Sequence, residues 1–166
     1  MNANSDTIVM QWSSEGGLER SVSNTPDLAV FADGRVVVGP RFANGQVTKH
    51  KLSKADFDAL CRFVFEQQNI LSIDSDELER DVKAVETSEA SAGSRTTSVT
   101  PLGPQAVADA ATTIIWVRGA DDRHHEVRYY NLMGAAQRYP QIDKLQRLRA
   151  IEMRFLELAQ KVAASC

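Results

Sequence analysis

Apolar and polar positions alternate with a period of two in several short stretches, and recur at helical spacing in two longer ones. "TIVMQW", Thr7 to Trp12, is rich in strand formers and predicts a first strand. "SSEGGLERSVSNTP" follows with turn chemistry throughout. In "DLAVFADGRVVVGP", Asp27 to Pro40, two apolar runs flank Asp33-Gly34. That dipeptide supplies the positive φ angles of a tight primed turn, so a hairpin is expected. "QVTKHKL" predicts a short edge strand, whose lysines and His50 suit exposure.

A helix then starts with clear signals. Ser53 is the expected N-cap, with Asp56 three residues on as its capping-box partner, and Leu52 and Phe57 occupy the staple positions. Phe57, Leu60, Cys61, Val64 and Phe65 form the predicted buried stripe. Asn69 is the expected left-handed stop, and "ILSI" the extended tail after it. Residues 74–108 differ in character. Seven acids and two bases lie between Asp74 and Glu89, with a weak stripe at Leu78, Val82 and Val85, and "TSEASAGSRTTSVTPLGPQ" is small, polar and broken by prolines. Such a stretch buries too little to offset its own ordering entropy, so a mobile insertion within a single domain is expected.

Strand patterning returns at Thr112 to Arg118, with Thr113, Ile115 and Val117 on one face and Ile114 and Trp116 on the other, as in a central strand. Val127 to Leu132 is expected to pair back on it. A helix from about Ile142 to Val162 carries its stripe at Ile142, Leu145, Leu148, Ile151, Phe155, Leu158 and Val162 and spans roughly 30 Å, enough to cross a sheet. The order hairpin, helix, hairpin, helix predicts an α+β fold. The expected form is one antiparallel sheet of four to six strands with two main helices on one face.

Bulk properties narrow the function classes. The 166 residues carry a formal charge of −3, which disfavours a nucleic-acid partner. No apolar run is long enough for a bilayer span, and the start lacks a secretory pattern, so neither a membrane nor export is expected and a cytoplasmic setting is. A trimmed secreted or lipoprotein chain is the alternative. Two cysteines, Cys61 on a helical stripe and Cys166 at the end, make no disulfide framework.

The densest chemistry is "DDRHHE", Asp121 to Glu126. Successive strand residues point to opposite faces, so His124 and His125 cannot share a metal. A ligand set would have to draw on His124, Glu126 and Asp122, and zinc catalysis wants three ligands and an open position. A solvated hairpin tip is the expectation, with no catalytic residue, metal or cofactor assigned. Serines stand in no nucleophile elbow and glycines in no phosphate loop. The long helix bears Lys144, Arg147, Arg149, Arg154 and Lys161 against Asp143, Glu152 and Glu157, which reads as a solvated face. Alternation points Tyr129 inward and Tyr130 outward. Trp12, Trp116 and Tyr130 are the candidates for a contact surface, although tryptophans on strands more often anchor a core.

The hairpin at Asp33-Gly34, the capped helix, Asp109 with Thr112-Thr113, then His125 and Val127 and a closing helix together resemble a group of uncharacterised bacterial domains. The resemblance covers about three-fifths of the chain, on motifs of low specificity. It implies an α+β fold and no known activity. The chain departs from the group at "GADDR", where a tight glycine turn is usual, and in its long insertion. The expected function is a non-enzymatic binding domain using an exposed sheet face to meet a protein partner or a second copy of itself. The alternative is a small-ligand or hydrolytic enzyme with a pocket between the sheet and the C-terminal helix.

Overall fold

The computed structural model describes residues 6–16, 25–92 and 110–165. The strands are β1 (Ile8–Gly16), β2 (Leu28–Phe31), β3 (Arg35–Val38), β4 (Thr48–Lys51), β5 (Ala111–Arg118) and β6 (His124–Tyr130). The helices are α1 (Lys54–Cys61), α2 (Ser75–Ala92), α3 (Leu132–Arg138) and α4 (Asp143–Ala164). All six strands pair antiparallel in one sheet ordered β4-β3-β2-β1-β5-β6, so the fold is α+β.

Both β1 and β5 sit in the interior of the sheet. The first strand runs four residues past Trp12, into a stretch whose serines and glycine predicted a turn. Pairing with β5 from Met10↔Val117 to Gly16↔Ala111 overrides that local preference. Alternation then sorts the side chains. Met10, Trp12, Leu28, Val30, Val36, Val38, Ile115, Val117, Val127 and Tyr129 share one face and one core cluster. The same cluster holds Leu60 of α1, Leu78 and Val82 of α2, and Leu145, Leu148, Ile151, Phe155, Ala159 and Val162 of α4.

The hairpin turns differ in detail from expectation. Gly34 has φ +84, but Asp33 does not enter the left-handed region. The Gly34 amide donates to Phe31 O at 2.9 Å, closing a turn over Ala32 and Asp33. The connection is therefore a three-residue loop with a left-handed bulge residue rather than a two-residue primed turn. The second hairpin repeats the device. The Asp122 amide donates to Gly119 O at 3.1 Å, and Asp122 itself takes the left-handed position at φ 64.

Ser53 caps α1, its Oγ accepting the Asp56 amide at 3.1 Å and donating to the Asp56 carboxylate at 2.7 Å. The helix then widens into a π-helical turn, Arg62–Gln67, and stops at Asn69 in the left-handed conformation. Ile70–Ser72 form a 3₁₀ turn instead of an extended tail, and Ile70 and Ile73 are buried. The second strand of the second hairpin ends at Tyr130, and Leu132 opens α3.

The largest departure is α2. An acidic mobile insertion was expected from residue 74, yet Ser75–Ala92 are helical. The Asp74 carboxylate accepts the Glu77 amide at 2.9 Å, and Asp76 and Glu77 occupy the first turn, where the helix dipole favours acids. The narrow stripe of Leu78 and Val82 is buried, which contributes about 1.5–3 kcal/mol for each side chain. The acids find cations and donors on other elements. Lys144 pairs with Glu77, Arg138 lies 3.8 Å from Glu89, and the Tyr139 hydroxyl donates to Glu86 at 2.6 Å. Residues 93–108 of the expected insertion lie outside the described residues, as do most of "GGLERSVSNTP", Asp109 and Cys166.

Two stability outcomes follow. Leu78→Ala is expected to destabilise the whole fold by about 2–4 kcal/mol in urea unfolding, with a single transition; a loss confined to part of the helical signal would make α2 an appendage. Gly34→Ala is expected to lose about 1–2 kcal/mol, because a Cβ is forced into the left-handed region.

Candidate functional site

The opposite face of the sheet carries the residues of the other parity. Among these, Phe31, Ala29, Val37, Ile114, Trp116 and Tyr130 are absent from the core cluster, and Val9 alone packs at its margin. Ala29 and Ile114 are buried between taller neighbours, and Phe31, Val37, Trp116 and Tyr130 are half-buried.

Register places three of this set, Val37, Ala29 and Trp116, in one row that crosses all six strands. Lys49 pairs with Val37, Val37 with Ala29, Ala29 with Gln11, Gln11 with Trp116, and Trp116 with Glu126. An apolar middle thus runs between a base at one edge and an acid at the other. Cations lie on the aromatics. The Arg35 guanidinium sits 4.7 Å from the Phe31 ring centre, and that of Arg118 sits 5.7 Å from Trp116. The His124 ring stacks on Trp116 with centres 5.7 Å apart and planes 29° from parallel.

The two turns at one end of this face are chemical twins. In "ADGR" the Asp33 carboxylate accepts the Arg35 amide at 2.9 Å and its Nε at 2.8 Å. In "ADDR" the Asp121 carboxylate accepts the Arg123 amide at 3.2 Å and pairs with its Nε. The arginine partner's hydrogen bonds hold both aspartates below the usual carboxylate range.

The sequence candidates divide between the faces. Trp12 is not a surface residue: it is 3% exposed, on the core face, with its ring 5.6 Å from that of Phe42. The reason is that β1 lies inside the sheet and its even-numbered positions point at the helices. Trp116 and Tyr130 do stand on the opposite face. His124 shares that face, while the His125 Nε2 lies 2.7 Å from Ile73 O on the core side. Asp122 is bound to Arg118 at 2.7 Å and Glu126 to Arg128 at 2.6 Å. Among the described residues no group of three or more His, Cys, Asp or Glu side chains is arranged to hold a metal.

Two buried acids depart from expectation: Glu152, expected on the solvated face of the long helix but buried by its position on the side facing Thr113, and Asp27, which the sequence did not single out. Glu152 is buried, accepting from Thr113 Oγ1 and pairing with Arg149. Asp27 is buried beside β1, accepting the Ser14 amide at 2.8 Å, with Arg41 at 3.5 Å. Burial raises its pKa, against the lowering effects of the Ser14 bond and Arg41. Burial, then the Asp58 charge, pushes the Cys61 thiol up to about 11, which makes it a poor nucleophile.

A cavity of about 210 Å³ opens between β4, α1 and the end of α4. His50, Asp56, Arg154, Glu157 and Lys161 line it over an apolar floor. Its acids are engaged, Asp56 with Ser53 and Glu157 with Arg154 at 3.5 Å. Asp27, Cys61 and Tyr129, whose titration burial displaces, all lie elsewhere.

No protein-family model, curated protein or solved structure matches the chain. Among the described residues no helix is long and apolar enough to cross a membrane.

Asp27 supplies a pH outcome. Burial holds its folded pKa above the ordinary aspartate value of 3.8, so between the two values the folded state binds the proton more readily than the unfolded chain. Its contribution to stability is present below the unfolded pKa and declines as pH rises through the folded pKa. Asp27→Asn should therefore gain stability relative to the native chain as pH rises from that value, as read from urea midpoints. A difference that moves the other way would mean Asp27 is held by Arg41 more than it is penalised by burial.

Proposed function

We propose that the chain is a non-enzymatic binding domain that meets a protein partner through the second face of its sheet. The observation that carries this reading is the row through Trp116. A large aromatic is left half-exposed at an interior strand position, away from the core cluster, and is flanked by cations and an imidazole. Tryptophan, tyrosine and arginine together are the residue types that dominate protein interfaces. Tyr130 and Phe31 extend the surface. The charge of −3 and the ion-paired bases support a polypeptide over a nucleic acid as partner.

The alternative, a small-ligand or hydrolytic pocket between sheet and C-terminal helix, rests on the cavity beside β4. Its acids are already engaged, Asp56 with the helix-capping Ser53 and Glu157 with Arg154, which favours it less.

A photo-crosslinking side chain in place of Trp116 tests the surface. In the native host it is expected to give one discrete protein adduct, whereas the same group in place of Glu157 on α4 gives none. Equal labelling from both positions, or no adduct from Trp116, would remove the sheet face as the binding surface.

A further inference from the structure

We infer that the occupant of this face is a second copy of the chain, related by a twofold axis that runs parallel to the strands between β2 and β1. This rests on the sheet face being the binding surface, and it adds the identity of the partner.

The argument starts from the row Lys49–Val37–Ala29–Gln11–Trp116–Glu126, which is fixed by pairing across the six strands. The gap between β2 and β1 is the midpoint of the sheet order. Rotation about an axis over that gap reverses the row and turns it face to face with itself. Lys49 then meets Glu126 of the second copy, Val37 meets Trp116, and Ala29 meets Gln11. Base opposes acid at both ends, Val37 packs on Trp116 inside them, and the Gln11 amide lies over Ala29 nearest the axis. Sheets packed this way stand about 10 Å apart, a gap that lysine and glutamate side chains can span. Glu126 uses Oε1 for Arg128, and among the described residues Lys49 has no ion-pair partner. The next row brings Arg35 opposite Arg118, but each carries its own carboxylate, Asp33 and Asp122. The same row sets Lys51, which also pairs with Asp33, opposite His124, and Arg35 has Asp6 as a second partner, so each cation of the row meets the second copy with a carboxylate of its own chain beside it.

The edges of the sheet are poor alternatives for self-association. On β6 the Arg128 amide is taken by Ser75 Oγ at 2.9 Å, and the His125 ring is tied to Ile73. The other edge, β4, presents Lys49, His50 and Lys51 in succession, a device that discourages strand addition.

Area sets the strength. Six strands at about 4.8 Å spacing and four to nine residues in length make a face of about 600 Å². That lies a little below the area per partner of a standard stable interface, so a reversible dimer is expected rather than an obligate one.

Sedimentation velocity on the full chain, from low to high micromolar concentration, is the test. The native chain is expected to shift from monomer to dimer over that range. Lys49→Glu and Glu126→Lys should each weaken the dimer about tenfold, since the symmetry makes each substitution count twice. The two together should return the affinity to within about threefold of native, because the swapped charges still attract. Circular dichroism and the thermal midpoint show whether each variant is folded, and Lys49 and Glu126 are exposed enough for folding to be retained. A monomer at every concentration overturns the inference; if Trp116 still gives a discrete adduct with another protein, the binding surface stands and only its occupant changes. A dimer that neither single reversal weakens, or that the double variant fails to restore, also overturns it.

Discussion

The ladder between β1 and β5 is the constraint on which the rest of the molecule depends. It joins the first strand to the last hairpin, pairing Met10–Gly16 with Ala111–Val117 in seven consecutive positions. Every other element is placed by reference to it. The first hairpin pairs on one side of β1 and the last strand on the far side of β5. A slip of one residue would carry Trp12, Ile115 and Val117 to the outer face and bring Gln11 and Trp116 under the helices. The large apolar side chains of α4, above all Phe155 and Ile151, are fully buried in the core cluster that this face completes and so favour that register. The loop closed by this pairing spans most of the chain, so its entropy cost must be met by the core it creates.

The same parity that builds the core leaves a second face with mixed character. Its apolar side chains are not bare: Arg35 lies over Phe31, and Arg118 and His124 flank Trp116. Long cationic side chains can cover aromatic surface while keeping their charge in water. The face is thus compatible with a dissolved monomer and also supplies the ingredients of an interface. The twin aspartate–arginine turns add a patterned rim at one end, with their carboxylates kept ionised by their partners.

Much of this was legible in the chain itself. Ser53 and its capping partner, Asn69, the alternation of Thr112–Arg118 and the stripe of the last helix each announce themselves locally, because caps, left-handed stops and periodicity involve only residues a few positions apart. The opposed directions of His124 and His125 follow from strand geometry alone. The proposed contact surface was only half legible. Trp116 and Tyr130 fall on the outer face as alternation allows, but Trp12 sits in the core, and no local signal separates the two tryptophans. That choice depends on which parity of β1 meets the helices. The repeated turn was visible as "ADGR" and "ADDR", but two three-residue matches carry little weight until both are seen closing the same kind of loop.

The sequence by itself determined both hairpins, the helices that follow Ser53 and Ile142, the α+β class, and the Ser53 cap and Asn69 stop, because these are properties of short windows in which each residue's preference acts on its neighbours. Tertiary structure alone decided that the acidic stretch after Asp74 becomes α2, since its carboxylates are held by Lys144, Arg138 and Tyr139 from elements far along the chain. It alone decided that β1 continues through Ser13–Gly16, where pairing on β5 overrides turn-forming residues. It also decided the order in which Lys49, Val37, Ala29, Gln11, Trp116 and Glu126 line up. Strand order is a long-range choice, and only burial of a shared core makes one arrangement lower in free energy than the others.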